Sequence, residues 1–264
     1  MLAEDRRNRI LEQVYAHGSV RTSALVETLD VSEVTVRHDL QELERRGRLV
    51  RIRGGATTPG AELGKTTFDA RLMRNKSAKE RIALTASSMV RGDQTIVLDA
   101  GTTVLALAQR LPPVSGLTVV TPALTTAHQL LGVKNVDVVM IGGPVDPDTA
   151  SVVWPSTTWP AVHASGTTLI VHVSFMGAHG IDPDLDIVDV STSSAALKQR
   201  LIEAGRRVVL LADSSKWGAK GSVKVAPLSA VDVVITDDGV PPHVVEDVRR
   251  AGVELLIVED TSAV

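Results

Sequence analysis

Seven short runs dense in β-branched and other apolar residues recur along this chain, at Thr95–Asp99, Leu117–Thr121, Val136–Ile141, Thr168–Phe175, Arg207–Leu211, Val231–Thr236 and Glu254–Val258. Helical patterns stand between them at Thr103–Arg110, Leu124–Leu131, Ser193–Glu203 and Pro242–Arg250. Successive side chains of a strand point to opposite faces, so a strand apolar at consecutive positions must be covered on both. Alternating strands and helices meet that demand with a mostly parallel sheet between two helical layers. The expected class is α/β, with a Rossmann-like parallel-sheet domain over residues 81–264.

The first 57 residues read differently. Ile10, Leu11 and Val14 sit at helical spacing, and His17-Gly18 ends that pattern. Thr22 is placed to cap a second short helix carrying Ala24, Leu25 and Leu29. Asp30-Val31-Ser32 makes a tight connection, and Ser32 can cap a third helix running to about Arg46, where Gly47 stops it. RLVRIRGGATT then alternates as a small β-hairpin does, with Gly54-Gly55 at or near its end. Residues 58–80, beginning rich in Thr, Gly and Pro, read as a connector, and FDARLMRNKSAKERIALTASSMV resumes a helical pattern with Ile82, Ala83, Ala86 and Val90.

Two short helices, a tight turn, a third helix and a hairpin compose a winged helix-turn-helix. On a wheel of residues 33–46, Val36, Leu40 and Leu43 share the face that must be buried. Val34, Arg37, His38, Gln41 and Arg45 lie opposite. That outward set suits a major groove: Arg forks onto guanine, Gln onto adenine, and Val touches a thymine methyl. Ser32 and Thr35, at the start of the helix, complete the candidate DNA contacts there. Arg51 and Arg53 on the hairpin are placed to hold phosphates or enter a minor groove. Asp39, Glu42 and Glu44 would be repelled by DNA, so they should point sideways or pair with arginine.

Charge supports a local reading head rather than a basic coat. The 264 residues carry 28 Lys+Arg and 31 Asp+Glu, a net charge of -3. Residues 1–57 hold ten of the cations, all arginine, whose forked donors favour bidentate contacts. Aromatic residues are 2%, too few for a base-stacking platform. With no cysteine, disulfides, thiol catalysis, Cys-ligated zinc and iron–sulfur clusters are excluded. The start MLAEDRRNRI lacks the apolar core of a secretory signal, and no apolar run is long enough to span a bilayer. A soluble cytoplasmic protein with no membrane partner is expected.

Three clusters follow strand ends, where ligands of open α/β sheets collect. The first is Asp99-Ala100-Gly101-Thr102-Thr103, where glycine permits close backbone approach and two hydroxyls and helix-start amides suit a phosphate. The second is Ile141-Gly142-Gly143-Pro144, and the third is Ala212-Asp213-Ser214-Ser215-Lys216, where Lys216 offers a countercharge. Taken singly these read equally as a helix cap, a tight turn and a surface lysine.

The stretch VSEVTVRHDLQELERRGRLVRIRGGA resembles the winged helix-turn-helix signature of DeoR-type bacterial transcription regulators. Val31, Ser32, Thr35, Val36, Arg37, Asp39, Leu40, Leu43, Gly47, Arg51, Gly54, Gly55 and Ala56 match its pattern. His38 stands where that family usually has a second arginine, which changes a readout side chain and opens DNA affinity to pH. The resemblance continues through LDAGTTVLALAQRL, VVTPALTTAHQL, MIGGPVDPDTASVVWP, FMGAHGID and LLADSSKWG. It implies a C-terminal sensor domain similar to ribose-phosphate isomerase and glucosamine-phosphate deaminase, sensing a phosphorylated sugar or related metabolite. By it Asp99, Gly101, Thr102, Thr103, Gly142, Gly143 and Lys216 line the effector pocket, and Phe68 and Arg71 belong to a structural F-x-x-R connector. The chain departs from the family pattern at Pro122 (usually Asn), Trp154 (usually Gly) and His172 (often Asp), and DPDLDIVD lacks the usual Gly-Leu-Thr.

The rival class is a sugar-phosphate isomerase or deaminase with an N-terminal appendage. His179, Asp182, Asp184 and Asp186 would supply its acid and base groups; as loop acids beside Pro183 they read equally as turn residues. His163, His172 and His179 are spread along the chain and lack metal-ligand spacing. The expected protein is a regulator without catalytic residues, cofactor or metal, most simply a repressor. It would bind double-stranded operator DNA as a homodimer or homotetramer, with a small-molecule effector shifting head positions through the connector.

Overall fold

The computed structural model describes residues 2–59, 68–152 and 170–260. The chain divides into two compact units, Met1–Lys76 and Ser77–Val264.

In the first unit α1 (Ala3–His17) ends at Gly18, whose φ of 75 gives the left-handed C-terminal turn that glycine adopts without strain. Strand β1 (Ser19–Arg21) follows, then α2 (Thr22–Leu29) and α3 (Glu33–Arg45). Ser32 caps α3: its hydroxyl accepts from the Thr35 amide at 3.2 Å. Thr22 does not cap α2. It is the buried first residue of that helix, and its amide donates to Gly54 O at 2.8 Å. The turn of the hairpin, not a side chain, takes that free helix-start N–H.

The hairpin is β2 (Val50–Ile52) and β3 (Gly55–Thr57). Gly54, with φ 81, lies in its turn, and Gly55 opens β3 rather than closing the hairpin. Strand β1, which the sequence reading did not anticipate, pairs on the other side of β3, giving the order β1-β3-β2. Helix α4 (Phe68–Met73) lies within the stretch read as a connector, and its Ala70 is buried in this unit's core with Ile10, Val14, Leu25, Val36, Leu40, Leu43 and Leu49.

The second unit begins with α5 (Lys76–Ser87), β4 (Thr95–Leu98), α6 (Thr102–Ala108), β5 (Leu117–Thr121), α7 (Leu124–Leu130) and β6 (Val136–Met140). A short hairpin, β7 (Val145–Asp146) and β8 (Ser151–Val152), comes next. After it stand β9 (Val173–Gly177), β10 (Gly180–Ile181), β11 (Asp186–Asp189), α8 (Thr192–Ala204) and β12 (Val208–Leu211). The chain continues through β13 (Val223–Pro227), β14 (Val233–Asp237), α9 (Pro242–Arg250) and β15 (Glu254–Val258).

All seven expected strands enter one sheet of order β15-β14-β12-β9-β4-β5-β6, and every pairing in it is parallel. The run expected at Thr168–Phe175 is strand only from Val173 and extends to Gly177; residues 168 and 169 lie outside the described ones.

Alternation along the strands sorts the core into two faces. Ile96, Leu98, Phe175, Val209, Leu211, Val233 and Ile235 pack with residues of α5, α6 and α7. Their neighbours Val97 and Val120 meet Leu197 and Leu201 of α8, and Met176, Val208, Leu210 and Val234 meet α8 and α9. The result is the expected helix–sheet–helix sandwich. A second, antiparallel sheet of β10, β11 and β13, absent from the sequence reading, stands beside it.

Candidate functional site

Helix α3 presents the outward set as expected. Val34 is 78% exposed, and Arg37, His38, Gln41 and Arg45 are exposed too, while Val36, Leu40 and Leu43 are buried. The Ser32 and Thr35 hydroxyls lie 2.8 Å apart at the start of α3 and serve each other as well as the cap. Arg51 and Arg53 are exposed on the hairpin.

Each suspect carboxylate pairs with arginine. Asp39 is fully buried and accepts from Nε of both Arg6 and Arg7, tying α3 to α1. Glu42 accepts from Arg45 at 2.7 and 2.8 Å and from Arg46 at 2.8 Å. Those hydrogen bonds from Arg45 and then Arg46 hold its carboxyl down to about 2. Glu44 accepts from the Arg51 amide at 3.0 Å, fixing the wing to the end of α3. Glu33, not singled out from sequence, accepts from Arg37 Nε at 2.9 Å and Nη2 at 2.6 Å.

At the carboxyl edge of the parallel sheet, Asp99 directly follows β4 and is fully buried. Its Oδ2 accepts from the Gly177 amide at 3.2 Å and lies 3.4 Å from Lys198 Nζ. Its Oδ1 is buried without a hydrogen-bond partner among the described residues. Gly101 caps α6 with φ 147, a conformation that favours glycine, and Thr102 and Thr103 are buried in the first turn. Burial pushes the Asp99 carboxyl above its usual range, against the pull of Lys198. Burial alone would lower the Lys198 ammonium, yet Asp99 and Asp189 together hold it above the ordinary lysine value.

Lys198, Asp189 and Ser194 complete this cluster. Asp189 Oδ2 lies 3.4 Å from Lys198 Nζ and accepts from the Ser194 hydroxyl at 2.8 Å. Sequence reasoning missed all three, but a signal existed. Lys198 stands three residues from Ala195 and three from Leu201, on the buried side of α8. A lysine on an apolar helical face requires a buried partner.

Lys216 is half-buried at the end of a 3-10 turn, Ser214–Lys216, that follows β12. The turn is firmly held. Asp213 accepts from the Ser215 hydroxyl at 2.6 Å, Asp237 from the Ser214 amide at 2.6 Å, and Trp217 Nε1 donates to the buried Thr236 hydroxyl at 3.1 Å. Strand β9 separates β12 from β4, so the ends of these two strands are about 10 Å apart.

Gly142 and Gly143 follow β6, on the opposite side of β4 from Lys216. Gly143 has φ 152, and beyond it the β7–β8 hairpin folds back onto the end of β5. Leu124 N there donates to Ala150 O at 3.0 Å, and Val152 N to Pro122 O at 2.9 Å. Pro122 therefore keeps its carbonyl in use at this edge. The strand order thus groups Asp99, Gly101, Thr102, Thr103 and Lys198 and sets Lys216 and the two glycines to either side.

His172 belongs elsewhere. Its Nδ1 accepts from the Thr95 amide at 3.0 Å, at the amino end of β4 and away from Asp99. Asp182 accepts from the Asp184 and Asp186 amides at 3.0 and 2.9 Å, and Asp186 pairs with Lys224. These acids build a β-turn between β10 and β11. Among the described residues no three His, Asp or Glu side chains converge as metal ligands. Trp154 and His163 lie outside the described residues. No helix among the described residues is long and apolar enough to cross a membrane.

Two family models match the chain, a DeoR-like helix-turn-helix domain at residues 6–61 and a DeoR C-terminal sensor domain at 74–238. The HTH-type transcriptional regulator YulB of Bacillus subtilis is 33% identical over 98% of each chain. The glycerol-3-phosphate regulon repressor of Escherichia coli is 30% identical over 93% of this chain and 95% of its own. Among solved structures, a D-ribose-5-phosphate isomerase in complex with phospho-erythronic acid aligns with 54% of this chain and 54% of its own, at 14% identity and a TM-score of 0.39. With its two domain models matched in order and its relatives aligned nearly end to end, the chain belongs to the DeoR family of helix-turn-helix transcriptional regulators.

Proposed function

We propose that this regulator represses a carbohydrate-metabolism operon and that a phosphorylated sugar or related metabolite, bound at the carboxyl edge of the parallel sheet, changes its affinity for operator DNA. Arg37, His38, Gln41, Arg45 and Val34 read base edges from α3. Ser32 and Thr35 set the start of that helix against the backbone, and Arg51 and Arg53 grip phosphate from the wing. The protein works as a homodimer or homotetramer, presenting paired heads to paired half-sites, and acts in the cytoplasm without catalytic chemistry.

One observation carries the effector half of this reading. Asp99 Oδ1 is a buried acceptor with no hydrogen-bond partner among the described residues, beside the Gly101-Thr102-Thr103 backbone. A hydroxyl-bearing ligand satisfies such an atom, and leaving it unmatched is costly. Lys216, on its pinned turn, supplies the countercharge for a phosphate, while Gly142 and Gly143 let the chain fold over the edge. The name of the E. coli relative, a glycerol-3-phosphate regulon repressor, fits a phosphorylated polyol ligand. The turn role of Asp182 and the salt bridge of Asp186 argue against the isomerase or deaminase alternative, because they engage two of its three acids.

Ligand shifts the DNA equilibrium only by its differential affinity for the two states. The test is fluorescence anisotropy on DNA upstream of the gene and its neighbours, at fixed salt with competitor, titrated with phosphosugars and their unphosphorylated sugars. Release by one phosphosugar and not by its parent sugar is expected. Turnover of ribose-5-phosphate or glucosamine-6-phosphate by the purified chain would instead establish the enzyme.

A further inference from the structure

The side-on edge of the Arg37 guanidinium is already occupied. Nε and Nη2 both donate to Glu33 Oε1, at 2.9 and 2.6 Å, while the side chain remains 69% exposed. Glu33 stands one turn before Arg37, the favourable order for such a pair on a helix. Arg45 is held in the same way by Nε and Nη2 on Glu42, and is 72% exposed. In each case the end-on edge, Nη1 with the outer hydrogen of Nη2, makes no hydrogen bond to a described residue. Guanine offers two acceptors, O6 and N7, side by side in the major groove, and the end-on edge of an arginine matches them.

We infer that Glu33 is a positioning residue for sequence reading: it clamps Arg37 by the side-on edge so that the end-on edge is presented to a guanine, and its charge opposes indiscriminate contact with phosphates. The inference rests on α3 being the helix that enters the major groove. Arg37 lies in the N-terminal half of α3, the part of a recognition helix that reaches base edges. A loose arginine would find phosphate as readily as base, because phosphate attraction carries no sequence information. A paired arginine has part of that freedom restricted before DNA arrives, so less entropy is lost on base contact. Glu33 thus acts on specific and non-specific binding with opposite signs.

The test uses the full chain. In vitro selection from a randomised duplex library yields a preferred duplex, and a scrambled duplex of the same composition serves as the reference. Anisotropy at one near-physiological salt concentration then compares wild type with Glu33→Gln. Glu33→Gln should bind the preferred duplex about twofold more weakly and the scrambled duplex no more weakly. In an Arg37→Ala background, adding Glu33→Gln should cause no further loss on the preferred duplex. Tighter binding to both duplexes would overturn the inference, leaving simple repulsion. Weaker binding to both with a lowered melting temperature would overturn it in favour of a structural role for Glu33. Failure of the wild-type chain to enrich any sequence would overturn the DNA-reading assignment beneath it.

Discussion

The Lys198 ammonium lies 3.4 Å from Asp99 Oδ2 and 3.4 Å from Asp189 Oδ2, and all three side chains are buried. One cation therefore serves two carboxylates at the carboxyl edge of the sheet. Lys198→Met would leave those carboxylates buried and uncompensated. The second unit should lose about 3–5 kcal/mol of stability, read by urea denaturation. Adding Asp99→Asn should restore part of the loss. Because the folded lysine pKa is raised, its contribution is present below the ordinary 10.5 and disappears as pH climbs through the higher folded value. An alkaline limb seen in wild type should accordingly be missing from Lys198→Met.

Arg37→Ala removes the guanidinium and with it the end-on pair of donors offered to a base. Specific binding should fall by about 1–3 kcal/mol, and discrimination at one guanine should relax. Measured on selected and scrambled duplexes, an equal loss on both would reduce Arg37 to a phosphate contact.

Lys216→Ala should abolish release of DNA by phosphosugars while DNA affinity without ligand stays unchanged. The turn that carries it is held through Asp213, Asp237 and Trp217, so truncating the lysine leaves the backbone in place. An undiminished phosphosugar response in the anisotropy titration would remove Lys216 from the site.

Glu42 titrates at about 2, well below the usual 4.5, because hydrogen bonds from Arg45 and Arg46 favour its charged form. A depressed carboxyl contributes stability above its unfolded pKa and loses it as pH falls through the folded value. Between pH 4.5 and 2 the first unit should weaken progressively, and Glu42→Gln should flatten that limb. Side-chain carboxyl NMR shifts would report the midpoint directly; one near 4.5 would show the two arginines released in solution.

Gly55 tests the wing. A β-carbon there would stand 2.0 Å from Val20 O, a backbone atom of the neighbouring strand. Gly55→Ala should force β1 and β3 apart at a cost of about 1–3 kcal/mol. It should also weaken DNA binding through displacement of Arg51 and Arg53. Unchanged melting would mean that the three-stranded sheet yields without penalty.

The strand runs and helix wheels were readable because they depend on local periodicity. All seven runs became strands, and Val36, Leu40 and Leu43 faced inward as spacing alone required. The recognition helix could be found because Ser32 and Gly47 punctuate it and its arginines share a face. Strand β1 escaped notice because three residues, Ser19 to Arg21, carry no period, and only pairing with β3 makes them a strand. The run from Phe68 to Val90 was readable as helical, and the structure divides it into α4 and α5.

What the linear sequence determined by itself was element type and the identity of the buried faces, since both follow from contacts a few residues apart. Which strands are neighbours is a matter of long-range pairing. Only the fold set Asp99 beside Gly177 and Lys198, and put Lys216 and Gly142–Gly143 on opposite sides of that group. Only the fold, likewise, sent His172 to the far end of β4 and drew Arg6 and Arg7 onto Asp39. The reason is electrostatic and steric at once. A buried charge must find its counterpart wherever the packed chain supplies one, and residues some 90 to 100 apart in sequence, as Asp189 and Lys198 are from Asp99, meet only through the order in which strands are laid into a sheet.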